Sequence, residues 1–124
     1  MFKDNIPIYV QISDLIKKRI VRNEYKEVLP TVRELAMELN VNPNTVARAY
    51  RELEREGIVK TRVGSGTSVN PNKKENLKKE LVMETVENFL LALRELGLGS
   101  ETIKNLLEEV YDRDKESEKK IPRD

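Results

Sequence analysis

Apolar residues return at helical spacing along the first part of the chain. Ile8, Ile12, Leu15, Ile16 and Ile20 share one side, and Lys17, Lys18 and Arg19 fill the others. Pro7 has the fixed backbone angle that suits a first helical turn, so the pattern predicts a helix beginning near Pro7. Residues 22–29 (RNEYKEVL) lose the period and read as a connector ending at Pro30. Thr31-Val32-Arg33-Glu34 then has capping-box form, in which Thr31 and Glu34 satisfy each other's backbone donors. A short second helix follows, with Val32, Leu35, Ala36 and Leu39 inward. Asn40-Val41-Asn42 is a three-residue turn, and Asn42 with Pro43 is a second start signal. The third helix carries Val46, Ala49, Tyr50 and Leu53 on one face and stops at Gly57.

After Gly57 the period changes from helical to alternating. Ile58 to Val63 reads as a strand, Gly64-Ser65-Gly66 as a tight turn, and Thr67-Ser68-Val69 as the returning strand. Asn70-Pro71-Asn72 punctuates the chain. Helix, helix, turn, helix, hairpin is the order of a winged helix-turn-helix. The predicted fold is therefore mainly α with a small β-hairpin, the winged unit occupying residues 1–72 and an α-helical unit residues 73–124.

In the second unit Leu77, Leu81, Val82, Val86, Phe89, Leu90, Leu93 and Leu96 lie on one side of a helix. Its expected length is about 21 residues, roughly 30 Å. Gly97-Leu98-Gly99-Ser100 breaks it, with Ser100 as the next expected cap, and Ile103, Leu106, Leu107, Val110 and Tyr111 line another helix. The tail from Asp112 is almost all charge and is expected to fray. Positions 82, 86, 89, 93 and 96 alternate spacings of four and three, a coiled-coil-like seam. Two helices cannot bury such a face alone. The cover is either the winged unit or the same helices of a second copy of the chain; the second copy is the favoured reading, with Leu81, Val82, Val86, Phe89, Leu90, Leu93, Leu96, Ile103, Leu107 and Val110 at the dimer interface.

Composition narrows the chemistry. Apolar residues are 38% of the 124 and charged residues 36%, which argues against one large ligand-enclosing core. The absence of cysteine and histidine removes disulfides, thiol nucleophiles, imidazole acid–base work and Cys/His zinc sites. No cofactor and no metal are expected. Glu24 with Glu27, or Glu52, Glu54 and Glu56, could be imagined as paired carboxylates, but they sit among lysines and arginines and read as ordinary surface charge. The chain is expected not to be an enzyme. The opening residues lack the apolar core of a signal peptide and no run approaches a membrane span, so a cytoplasmic location away from membranes is expected.

Net charge is +1, yet it is unevenly placed. Residues 1–72 hold 12 cations against 9 acids, net +3, and residues 73–124 hold 11 against 13, net −2. Leu39 to Arg51 and Gly57 to Lys74 contain no acid, consistent with an anion-facing surface or with chance composition. A helix-turn-helix places the start of its second helix in the major groove of double-stranded DNA. Asn42, Asn44 and Thr45 supply short polar groups there, and Arg48 and Arg51 follow one and two turns on. The plainer reading of Asn42 is a helix cap, which would compete with base contact by its side chain. Gly64, Ser65 and Gly66 would let a wing tip approach DNA closely, though glycines also suit any hairpin turn. Lys60 and Arg62 lie on the strand leading to that tip.

PIYVQI (7–12), LPTVRELA (29–36), VNPNTVARAYRELEREGIV (41–59) and GSGTSV (64–69) together resemble the amino-terminal domain of GntR-family bacterial transcription repressors. NPNTVARAY with only some fifty residues after it is similar to the YtrA-type subfamily. The resemblance covers nearly all of residues 5–70. It implies a DNA-binding homodimer that regulates transcription, as a repressor, at a palindromic operator. It makes Arg33 a base-reading or phosphate-contacting arginine; without it, Arg33 would be read as a partner for a surface glutamate. It also matches Asn42, Asn44 and Thr45 to the recognition-helix start, and Gly64 to Thr67 to the wing. Pro43 stands where many members carry a cation, the connector before Leu29 lacks the usual Pro-Gly step, and Ser68 replaces a common aromatic. Some members have a large carboxyl domain that binds a metabolite. Here about fifty helical residues leave little room for one, and a small-molecule effector would have to sit at the dimer interface or between domains. The alternative is a winged-helix protein–protein adaptor without DNA binding, favoured by the low net charge. Steep salt dependence of DNA affinity separates the two.

Overall fold

The computed structural model describes residues 2–115; Met1 and most of the expected charged tail, residues 116–124, lie outside the described residues. Among the described residues, five helices and one hairpin follow in the order α1 (Ile8–Val21), α2 (Val32–Leu39), α3 (Pro43–Arg55), β1 (Val59–Arg62), β2 (Gly66–Val69), α4 (Pro71–Glu95) and α5 (Ser100–Arg113). Packing divides the chain into a unit up to Glu80 and a unit from Leu81 onward. Among the described residues no helix is long and apolar enough to cross a membrane.

The first unit is built around Ile12, Ile16 and Ile20 of α1, Leu35 of α2, and Val46 and Leu53 of α3, all fully buried. Each such aliphatic side chain contributes about 1.5–3 kcal/mol by leaving water. The ends of the helices set the angles between them. The capping box forms: Glu34 N–H donates to Thr31 Oγ1 and Thr31 N–H to Glu34 Oε1. Asn40 turns left-handed (φ 54°), its N–H bonding to the Met37 carbonyl and that of Val41 to the Ala36 carbonyl. Gly57 (φ 77°) ends α3 likewise, with Ile58 N–H donating to the Leu53 carbonyl. Pro7 lies just outside α1, as its N-cap.

The hairpin pairs antiparallel, Val59 with Val69 and Arg62 with Gly66 at its two ends. The expected connector is more than a link. Leu29 N–H donates to the Thr67 carbonyl and Val69 N–H to the Glu27 carbonyl, and Val28 bridges Ser68. Residues 27–29 therefore cover the outer edge of β2 before the chain enters α2.

Pro71 opens α4 instead of separating the hairpin from it. Its missing N–H is harmless in a first turn, and Asn70 Oδ1 accepts from Asn72 N–H as a cap would. The helix is thus 25 residues long. Leu77, expected on the apolar side of the carboxyl helices, is buried and belongs to the first unit. Gly99, not Ser100, is the N-cap of α5 and makes no side-chain cap bond, and α5 runs through Asp112 and Arg113.

Within the second unit Ile103 is buried in the single chain, while Leu81, Leu90 and Leu93 are half-buried. Val82, Val86, Phe89, Leu107 and Val110 remain 42–51% exposed, and Leu96 77%. Ile103 is therefore part of the monomer's own packing and has little surface left for a partner, unlike the other expected interface residues.

Candidate nucleic-acid interface

Three short segments carry the expected contacts, and backbone bonds lock them together. Residues 27–29 pair with β2 and lead directly into Pro30 and the Thr31 cap, so the wing and the start of α2 share a hydrogen-bonded frame. The Tyr50 hydroxyl of α3 donates to the Pro30 carbonyl at 2.6 Å, and burial pushes its pKa up, keeping the donor protonated. At the far end of α3, Glu54 accepts from Thr61 N–H and Asn70 Nδ2 donates to the Gly57 carbonyl. Arg19 braces the rear, bonding Glu38 at 2.6 and 3.1 Å and the Tyr25 hydroxyl at 2.6 Å. That guanidinium holds the Glu38 carboxyl below the usual glutamate range.

On α3 the buried positions Val46, Ala49, Tyr50 and Leu53 leave the opposite side to Asn44, Arg48, Arg51 and Arg55, four, three and four residues apart. Three of the four were expected. Arg55 was missed, although the same spacing extends to it; it is paired with Glu52. Asn42 is the N-cap: its Oδ1 accepts from Asn44 N–H at 2.8 Å. Its carbonyl side is thus engaged, and Asn44 is the more available amide. Thr45 is half-buried on the flank.

Arg48 stacks on the Tyr9 ring, its guanidinium carbon 3.8 Å from the ring centroid. Tyr9 has no sequence signal that singles it out from the apolar side of α1. Arg33 is exposed in the first turn of α2, and among the described residues it has no acidic partner. The same holds for Arg51, Lys60 and Arg62.

Lys60 and every residue from Arg62 to Gly66 are exposed. Ser65 N–H donates to the Arg62 carbonyl, closing a turn in which Gly64 has φ 84°. Thr67 stands apart from the other wing residues. It is 8% exposed, its hydroxyl hydrogen-bonds that of Thr61 at 3.0 Å, and its carbonyl accepts from Leu29. Its side chain holds the hairpin together and is not presented outward.

Comparison with known proteins agrees with this architecture. Residues 8–69 match the model of the bacterial regulatory proteins, gntR family. The chain is 45% identical over 104 residues to the HTH-type transcriptional regulator YhcF of Bacillus subtilis, spanning 81% of this chain and 86% of that one. It is 35% identical over 113 residues to the HTH-type transcriptional repressor YtrA of the same organism, spanning 87% of each. A solved GntR family transcriptional regulator from Listeria monocytogenes superposes with a TM-score of 0.78 at 37% identity, over 87% of this chain and 98% of that one. YtrA from Sulfolobus acidocaldarius, a GntR-family transcription factor, gives 0.52 at 32% identity over 68% and 92%. With its helix-turn-helix, hairpin and helical carboxyl end, the chain belongs to the GntR family of bacterial regulatory proteins, DNA-binding transcription regulators and not enzymes, and resembles YtrA-type members over most of its length.

Proposed function

We propose that this chain is a cytoplasmic repressor that binds a palindromic operator as a homodimer, residues 1–72 reading DNA and residues 73–124 joining the subunits. The outward ridge of α3 carries the reading: Asn44, Arg48 and Arg51 are exposed at helical spacing, with no acid among the described residues neutralising either arginine. Asparagine matches the N6/N7 edge of adenine, and the arginines suit guanine or phosphate. Arg33 at the start of α2 adds a base-reading or phosphate contact, and Lys60, Arg62, Gly64, Ser65 and Gly66 on the wing extend the contact to neighbouring backbone. The repressor name of YtrA supports the direction of control. The exposed apolar residues of α4 and α5 support pairing, which would place two α3 helices on half-sites about one DNA turn apart.

Selection of bound sequences from a random duplex library, followed by mobility shift at several salt concentrations, tests the reading. Two-fold related half-sites are expected, with affinity falling steeply as salt rises. A folded chain that prefers no sequence over random DNA at any salt overturns it.

A further inference from the structure

Two arginines of the first unit lie over tyrosine rings, and their surroundings differ. Arg19 sits 5.7 Å from the Tyr25 centroid, and its donors are engaged by Glu38 and the Tyr25 hydroxyl. That arrangement is a brace. Arg48 sits closer, 3.8 Å over Tyr9, and among the described residues neither a carboxylate nor a hydrogen-bond acceptor engages its guanidinium. Stacking uses the face of the guanidinium and leaves its N–H donors, which lie in the plane, directed to the sides.

We infer that Tyr9 is a positioning residue for DNA binding, holding the Arg48 guanidinium in one orientation so that its free donors meet a DNA phosphate or base edge already aligned. This rests on the operator-binding reading above. A free arginine on an exposed helix samples many rotamers and loses that freedom on binding; an arginine already stacked loses less. Tyr9 is the second residue of α1, and its half-buried ring gives the guanidinium a platform beside α3. The Tyr9 hydroxyl has no hydrogen-bond partner among the described residues, so the ring face is what the structure employs.

The test is a double-mutant cycle on the full chain with the selected operator, using Tyr9→Leu, Tyr9→Phe, Arg48→Ala and the Tyr9→Leu/Arg48→Ala pair. Tyr9→Phe keeps the stack and is expected to bind within about twofold of the parent. Tyr9→Leu is expected to weaken binding roughly two- to fivefold, the worth of a cation–π contact at an exposed site. In the Arg48→Ala background the same change is expected to cost nothing further, and the slope of log affinity against log salt is expected to be shallower by about 0.9 if the contact is a phosphate. Equal losses from Tyr9→Leu in both backgrounds overturn the inference. So does Tyr9→Phe binding as poorly as Tyr9→Leu, which would assign the contact to the hydroxyl. Should leucine unsettle α1, Arg48→Lys keeps the charge without the planar stack, and parental affinity in that variant also overturns it. Those results leave operator binding standing; a parent chain that prefers no sequence removes both.

Discussion

Two asparagines at the start of α3 have separate tasks. Asn42 caps the start of the helix with its side-chain oxygen, whereas Asn44 is exposed and its side-chain amide has no hydrogen-bond partner among the described residues. Asn42→Ala is expected to lower stability by about 0.5–2 kcal/mol, measured by urea unfolding. Asn44→Ala is expected to leave stability nearly unchanged and to cost about 1–3 kcal/mol of discrimination between operator and random DNA. Arg33→Ala belongs with Asn44, since an exposed arginine without an acidic partner gives the fold little. Its loss is expected to weaken operator binding by a similar amount without moving the melting temperature. An unaltered ratio of specific to random affinity would remove Arg33 from base reading and leave it, at most, a phosphate contact. Thr67 shows the limit of reading single positions. Its place beside the wing glycines pointed outward, but alternation along β2 turns it in against Thr61.

The helices and the hairpin were largely readable because their signals are local. A capping box, an Asn-Pro start and a glycine stop each act within four residues, and the structure uses all three. What escaped was pairing between distant backbone groups. Nothing in Glu27-Val28-Leu29 announces that it will cover β2, because backbone hydrogen bonds carry no side-chain code. The Tyr9–Arg48 stack is likewise long-range and invisible to helical periodicity. Pro71 and Ser100 were misread for another reason: proline can end one segment or begin the next, and a Gly-Ser pair offers two adjacent cap positions. The joint between α1 and α2 offers a pH test. Glu38 is held below its ordinary pKa by Arg19, so the stabilisation is present above the unfolded value of about 4.3 and is lost as pH falls through the lower folded one. The parent is therefore expected to exceed Glu38→Gln in stability near neutrality, by no more than about 1 kcal/mol because half the glutamate side chain faces water. In urea titrations the difference is expected to shrink once pH drops below the ordinary glutamate range. A gap unchanged in acid would mean that the carboxylate's charge is not what stabilises the joint.

For the molecule as a whole, the two units pose different packing problems. The first fills its interior with fully buried aliphatic side chains from three helices. The second leaves Val82, Val86 and Phe89 of α4 and Leu107 and Val110 of α5 about half exposed, although they recur at the spacing of a helical seam. Single exposed apolar residues are ordinary, but a periodic row of them is not, because each additional Å² removed from water is worth about 25 cal/mol and the row has no cover among the described residues of its own unit. On the proposed reading, a second copy of the same row would be a self-complementary cover and would generate the two-fold axis that a palindromic operator requires. Phe89→Glu places a charge in the middle of that row. The variant is expected to keep its helical circular dichroism and to run as a monomer in light scattering at concentrations where the parent is expected to be a dimer. Operator affinity is expected to fall by about a hundredfold or more, since two linked half-site contacts become one. The order of these losses distinguishes the causes. If pairing alone fails, single half-site binding at low salt survives in Phe89→Glu and still depends on Asn44 and Arg51. If Phe89→Glu stays dimeric with unchanged affinity, the row is covered in some other way, and the two-fold arrangement of α3 must come from elsewhere in the chain.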